Sequence, residues 1–127
     1  MPQVDLIDET FVAAAPALVA GACGDPGLWR RLWPDLSAAV FADRGVEGLR
    51  FTVTGPWVGT AELWLEPSGD GVILHHYLRL DRAGGEPCPP RRALREARRR
   101  ARHAKRVLWA EKDRWEAGRP PGTPART

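Results

Sequence analysis

The sequence predicts an α+β domain, a curved antiparallel sheet of about five strands packed on one long C-terminal helix, with two short helices after the first strand. Three observations carry this. Short runs with a period near two follow one another from residue 36 to residue 81, separated by turn residues. Connections that short join antiparallel neighbours, because a parallel crossover needs a much longer link. A single amphipathic segment, about Arg91 to Glu116, then closes the chain with apolar residues at three- and four-residue steps.

Val4 to Val12 mixes apolar and acidic residues in partial alternation and reads as the first strand. Pro16 suits the first turn of a helix, where its missing N–H costs nothing; Ala17 to Cys23 continue it and Gly24 stops it. Asp25-Pro26 is an N-cap followed by proline at the first helical position, and it opens a second short helix to Leu32, before Trp33-Pro34. Leu36 to Asp43, Gly48 to Gly55, Val58 to Glu66 and Gly71 to Asp81 are the remaining strands, with turns at Arg44-Gly45, Gly55-Pro56 and Ser68-Gly69-Asp70-Gly71. In the last helix Leu94, Ala97, Ala101, Ala104, Leu108 and Trp115 form the core-facing stripe, and Gly118 ends it. Residues 1–117 are thus one domain, and 118–127, with three prolines, are expected to be a disordered tail.

Composition narrows the functional classes. The chain has 127 residues, 43% hydrophobic and 28% charged, which fits one folded core. It holds no apolar run long enough to span a bilayer, and its N-terminus shows no basic leader or apolar h-region. Cys23 and Cys88 lack metal-site spacing and are expected as free thiols in the cytoplasm. No Gly-rich phosphate loop and no nucleophile motif is present, so neither a cofactor nor a metal is expected.

Net charge is +3, yet residues 91–106 alone carry nine Arg or Lys against Glu96. The rest of the chain is therefore mildly acidic. Because these cations lie opposite or beside the stripe that packs on the sheet, and no aromatic is interleaved among them, they are expected to be a solvated face. Neither nucleic acid nor membrane is expected as a partner.

Alternation assigns the sheet faces. Leu49, Phe51, Val53, Ala61, Leu63, Leu65, Val72, Leu74, His76, Leu78 and Leu80 share the apolar face, and Trp64, Ile73, His75 and Tyr77 give the polar face an aromatic centre. Adjacent His75 and His76 point to opposite faces and so cannot hold one metal ion. Exposed aromatic clusters on sheets mark interfaces, so a homodimer through this outer face is expected.

The order of elements, with Phe11-Val12-Ala13-Ala14-Ala15-Pro16-Ala17-Leu18-Val19, Gly24-Asp25-Pro26 and Leu32-Trp33-Pro34-Asp35, resembles the START-like superfamily of helix-grip proteins (SRPBCC), which includes polyketide cyclases and dehydrases; small actinobacterial members look most similar. The resemblance implies a pocket between sheet and helix for a small hydrophobic, aromatic or polyketide-like molecule. Such family members usually have seven strands, against five here, so a sheet edge or the pocket mouth is more open. The alanine stripe supports a pocket, since Ala101 and Ala104 give the helix a thin side. The candidate ligand-binding set is Phe51, Val53, Leu63, Leu74, His76, Leu78, Ala101, Ala104 and Leu108, with His76 as the lone orienting polar group. In a cyclase or dehydratase reading His76 moves protons, aided by Glu111 at the edge of the stripe. The bland alternatives are a core histidine for His76 and a carboxylate reaching water for Glu111. A third reading is an interaction module acting through the outer sheet face or the basic helix.

Overall fold

A computed structural model describes residues 1–117. The expected tail lies outside the described residues. The elements run β1 (Val4–Val12), α1 (Pro16–Cys23), α2 (Pro26–Leu32), β2 (Ser37–Asp43), β3 (Gly48–Thr54), β4 (Trp57–Ser68), β5 (Gly71–Arg82) and α3 (Pro90–Glu116). All strand pairs are antiparallel, in the order β1-β5-β4-β3-β2. The meander β2 to β5 follows from its short turns, and β1 closes the far side by pairing with β5. β1 and β2 are the edge strands; α3 packs on β1, whose Glu9 and Phe11 carbonyls accept from Lys105 and Lys112, whereas β2 has no strand beyond it among the described residues. Phe41 is the extra residue of a bulge in β2, between the pairs Val40 with Phe51 and Ala42 with Arg50.

Local chemistry sets the boundaries. The Asp25 carboxylate accepts the Gly27 N–H at 3.0 Å, capping α2 behind Pro26. Gly48 has φ 114°, and a Cβ there would sit 1.9 Å from the carbonyl oxygen of Leu63, so only glycine lets β3 enter beside β4. At the other end of the domain α3 turns off at Ala117, which adopts left-handed geometry with φ 52°, one residue before the expected glycine stop.

One face of the sheet is covered by all three helices: α3 lies chiefly over β1, α1 over β3 and β4, and α2 packs against α3. The core between them is continuous, and Trp33, Phe51, Leu63, Leu74 and Leu78 are fully buried in it. Burying that apolar surface is the main favourable contribution to the fold.

The inward stripe of α3 differs from the sequence expectation. Ala93, Arg100, Ala104, Leu108, Glu111 and Trp115 are its buried members, Ala97 and Ala101 pack partly, and Leu94 is 51% exposed. Leu94 therefore does not pin the N-terminal end of α3 to the sheet. Arg100 turns inward instead, because Asp35 in the α2–β2 connection takes its guanidinium in a two-point pair at 3.0 and 2.6 Å, and Glu96 takes its Nε at 2.7 Å. A cation with three charge-assisted bonds can be buried where a bare one cannot. Arg100 is thus an exception to the solvated basic face.

Candidate functional site

The nine candidate residues all face the interior, Ala101, Ala104 and Leu108 from the core side of α3 and the others from the covered face of the sheet, where Phe51 packs against Trp29 and Trp33. Eight are buried, and Ala101 packs partly against them. His76 is their only polar member and is 1% exposed. Its Nε2 accepts the indole N–H of Trp33 at 3.0 Å, while Phe51 meets the same indole edge-on at a centroid distance of 5.2 Å. A neutral imidazole that accepts at Nε2 carries its proton on Nδ1. That buried Nδ1 has no hydrogen-bond partner among the described residues. Burial pushes the imidazole pKa down to about 4; the Asp8 carboxylate partly opposes this, and the Lys105 ammonium adds to it. His76 is neutral at pH 7.

Asp8 and Thr10 are inner-face residues of β1, in register with His76 and Leu74 of β5. Lys105 of α3 reaches over them, with Nζ 2.9 Å from Asp8 Oδ2, 2.8 Å from the Glu9 carbonyl and 3.0 Å from Thr10 Oγ1. This polar cluster was not recognised from the sequence. The signal was there, since Asp8 and Thr10 keep the parity of the inward Leu6 and Val12.

Glu111 does not join His76. Its carboxylate is 6% exposed, receives Arg31 of α2 at 2.6 Å and also pairs with Arg114. The carboxylate therefore faces cations at the α2–α3 junction, where cavities of about 380 and 310 Å³ flank the triad, rather than reaching into water. His103 Nε2, 2.6 Å from the Arg31 carbonyl, ties the same junction. No group of three or more potential metal ligands occurs among the described residues.

A larger depression, about 770 Å³, lies on the outer face and is lined by Phe41, Arg44, Arg50, Glu62, Trp64, Tyr77 and Arg79 among others. Beside it Trp64, His75 and Tyr77 stack, with centroids 4.2 and 6.1 Å apart. His75 Nε2 lies 3.0 Å from Glu66. Ile7 and Phe11 on the same face are 63% and 42% exposed.

No helix among the described residues is long and apolar enough to cross a membrane. Cys23 and Cys88 are both free, and burial pushes the Cys23 thiol up to about 12, which leaves it unreactive.

No family model matches the chain, and no curated protein does. Solved structures do. A Deinococcus radiodurans protein solved by structural genomics is similar at TM-score 0.64 and 14% identity, over 91% of this chain and 98% of that one. The Aha1 dimer from Colwellia psychrerythraea is similar at TM-score 0.62 and 14% identity, over 92% and 99%. The Zhui aromatase/cyclase from Streptomyces sp. R1128 is similar at TM-score 0.51 and 15% identity, over 93% and 97%. At such identities the likeness is one of fold alone, a helix-grip-like α+β arrangement of an antiparallel sheet and a long C-terminal helix.

Proposed function

We propose that the protein binds a small, mainly apolar molecule bearing one acceptor oxygen, an aromatic or polyketide-like ketone or phenol, between the sheet and α3. The observation that carries this reading is the buried His76 Nδ1–H without a partner inside an apolar core. An unmet buried donor costs about 1–3 kcal/mol, which a ligand oxygen would recover. Phe51, Leu63, Leu78 and Ala104 would enclose the carbon frame, with burial contributing about 25 cal/mol per Å². Trp33 fills part of that space, so entry requires α2, a short helix held to α3 through Arg31, to swing aside.

The aromatase/cyclase among the fold neighbours keeps a cyclase or dehydratase reading in view, but two features favour a carrier. A base with pKa about 4 is poorly matched to proton abstraction at neutral pH, and Glu111 is engaged elsewhere. In this reading the chain is a small actinobacterial-type member of the superfamily, working in the cytoplasm. The outer aromatic face favours, in addition, a second copy of the chain as its partner.

The test is titration with an environment-sensitive apolar dye and with an aromatic ketone, alongside native mass spectrometry of protein from its own host. His76→Leu is expected to retain the dye and to lose ketone affinity by roughly tenfold, the worth of one hydrogen bond of about 1.4 kcal/mol. Equal ketone affinity in both proteins, or no binding of either probe, rules the reading out.

A further inference from the structure

The outward face of α3 holds a second feature, independent of the interior. Arg91, Arg95, Arg98, Arg102 and Arg106 recur at three- and four-residue steps on the side opposite the buried stripe, and all are exposed. None of them makes an ion pair or side-chain hydrogen bond among the described residues, unlike Arg99 and Arg100, which Glu96 and Asp35 engage. Trp109 continues the stripe by one further step and is 54% exposed. An aromatic therefore sits at the C-terminal end of the basic run, beyond residues 91–106, among which none is interleaved.

From Arg91 to Trp109 the stripe extends about 27 Å at the usual helical rise. Its neighbouring guanidinium stems lie about 5–6 Å apart at their Cβ atoms. That is a regular row of unneutralised cations ending in an open ring. We infer that this face of α3 docks a single-stranded nucleic acid, its phosphates along the arginine row and one base stacked on Trp109. Arginine suits this because it meets phosphate oxygens with two parallel N–H groups. A lipid surface fits less well, since the only exposed large apolar residues on α3 are Leu94 and Trp109, at opposite ends of the row. A duplex fits less well because its bases are already stacked and would leave Trp109 without a partner.

The test is fluorescence anisotropy of the full chain with a labelled mixed-sequence strand of about 16 nucleotides, at about 150 mM salt. Parallel arms use the matching duplex, inorganic polyphosphate and anionic vesicles. The inference expects a dissociation constant below about 1 μM for the single strand, tighter than the roughly 10⁻⁴ to 10⁻⁶ M of nonspecific contacts. Arg95→Gln with Arg98→Gln and Arg102→Gln is expected to weaken it at least tenfold and to lower the salt slope by about 2, at about 0.7 per lost phosphate contact. Trp109→Ala is expected to weaken it at least about fivefold with little change in slope. All four positions are exposed, and unchanged circular dichroism and unchanged interior dye binding separate this result from misfolding and from the ligand reading. A constant above about 1 μM, an unaffected Trp109→Ala protein, or equal binding of duplex, polyphosphate or vesicles overturns the inference.

Discussion

The indole N–H of Trp33 meets Nε2 of His76 at 3.0 Å, joining the chain just after α2 to the middle of β5 inside the core. The bond satisfies the indole donor and the Nε2 acceptor, and both residues are buried, so neither group can turn to solvent if the other is lost. Trp33→Phe strands a buried acceptor and His76→Leu strands a buried donor, so each is expected to cost at least about 1–3 kcal/mol in urea denaturation. The double variant should cost less than the sum, by about 0.5–3 kcal/mol. Strict additivity would show that the bond contributes nothing.

The same burial makes stability depend on pH. The His76 pKa falls from 6.5 to about 4 on folding, so between these values the unfolded chain takes up a proton that the folded chain refuses. The stability from the neutral imidazole is complete above pH 6.5 and is lost as pH falls toward 4. At about 1.4 kcal/mol per pH unit the loss approaches about 3 kcal/mol. Urea midpoints across pH 5 to 6.5, above the range where carboxylates titrate, should fall in the natural chain and stay flatter in His76→Leu. Parallel slopes would refute the assignment.

How far the sequence could be read depends on which residues are considered. The strands were legible because turns such as Ser68-Gly69-Asp70-Gly71 and the alternation in β3 from Leu49 and in β5 from Leu78 to Asp81 are local signals. Periodicity also placed α3, but it put Leu94 inside and left Arg100 out. Hydrophobicity ranks those two residues that way; their positions were decided by Asp35, far away in sequence. His76 was legible as an inward histidine, whereas its partner was not, since only the folded chain brings Trp33 beside it. The inward Asp8 was passed over because its partner Lys105 lies on another element.

Arg100 is the residue that fastens α3 to the α2–β2 connection. Although burial alone would raise the carboxyl pKa of Asp35 and Glu96, the Arg100 and Arg99 guanidinium groups outweigh it and hold both below the usual range. Arg100→Met keeps the stem and removes the charge-assisted bonds, for an expected loss of about 1.5–3 kcal/mol. Arg99→Met, on the exposed side with one ionic partner, should cost about 0–1 kcal/mol. Equal effects would mean that the inward pair is no stronger than a surface one.

The outer sheet face supplies the final prediction. Ile7 lies opposite Tyr77 in the register of β1 and β5, and one row along Glu9, His75 and Trp64 lie side by side across β1, β5 and β4. Ile7 is 63% exposed and Phe11 42%, so apolar groups border the aromatic stack on a face with no helix over it. A second copy applied about a two-fold axis would cover the same patch on both chains. Ile7→Glu with Tyr77→Lys removes the apolar surface yet leaves a cross-strand pair of opposite charge, which favours the sheet. Light scattering is expected to show a dimer for the natural chain and a folded monomer for the double variant. A natural chain that is already monomeric at high micromolar concentration eliminates the dimer, and a double variant that stays dimeric moves the interface elsewhere, to the bare edge of β2 with its exposed Val40 and Phe41.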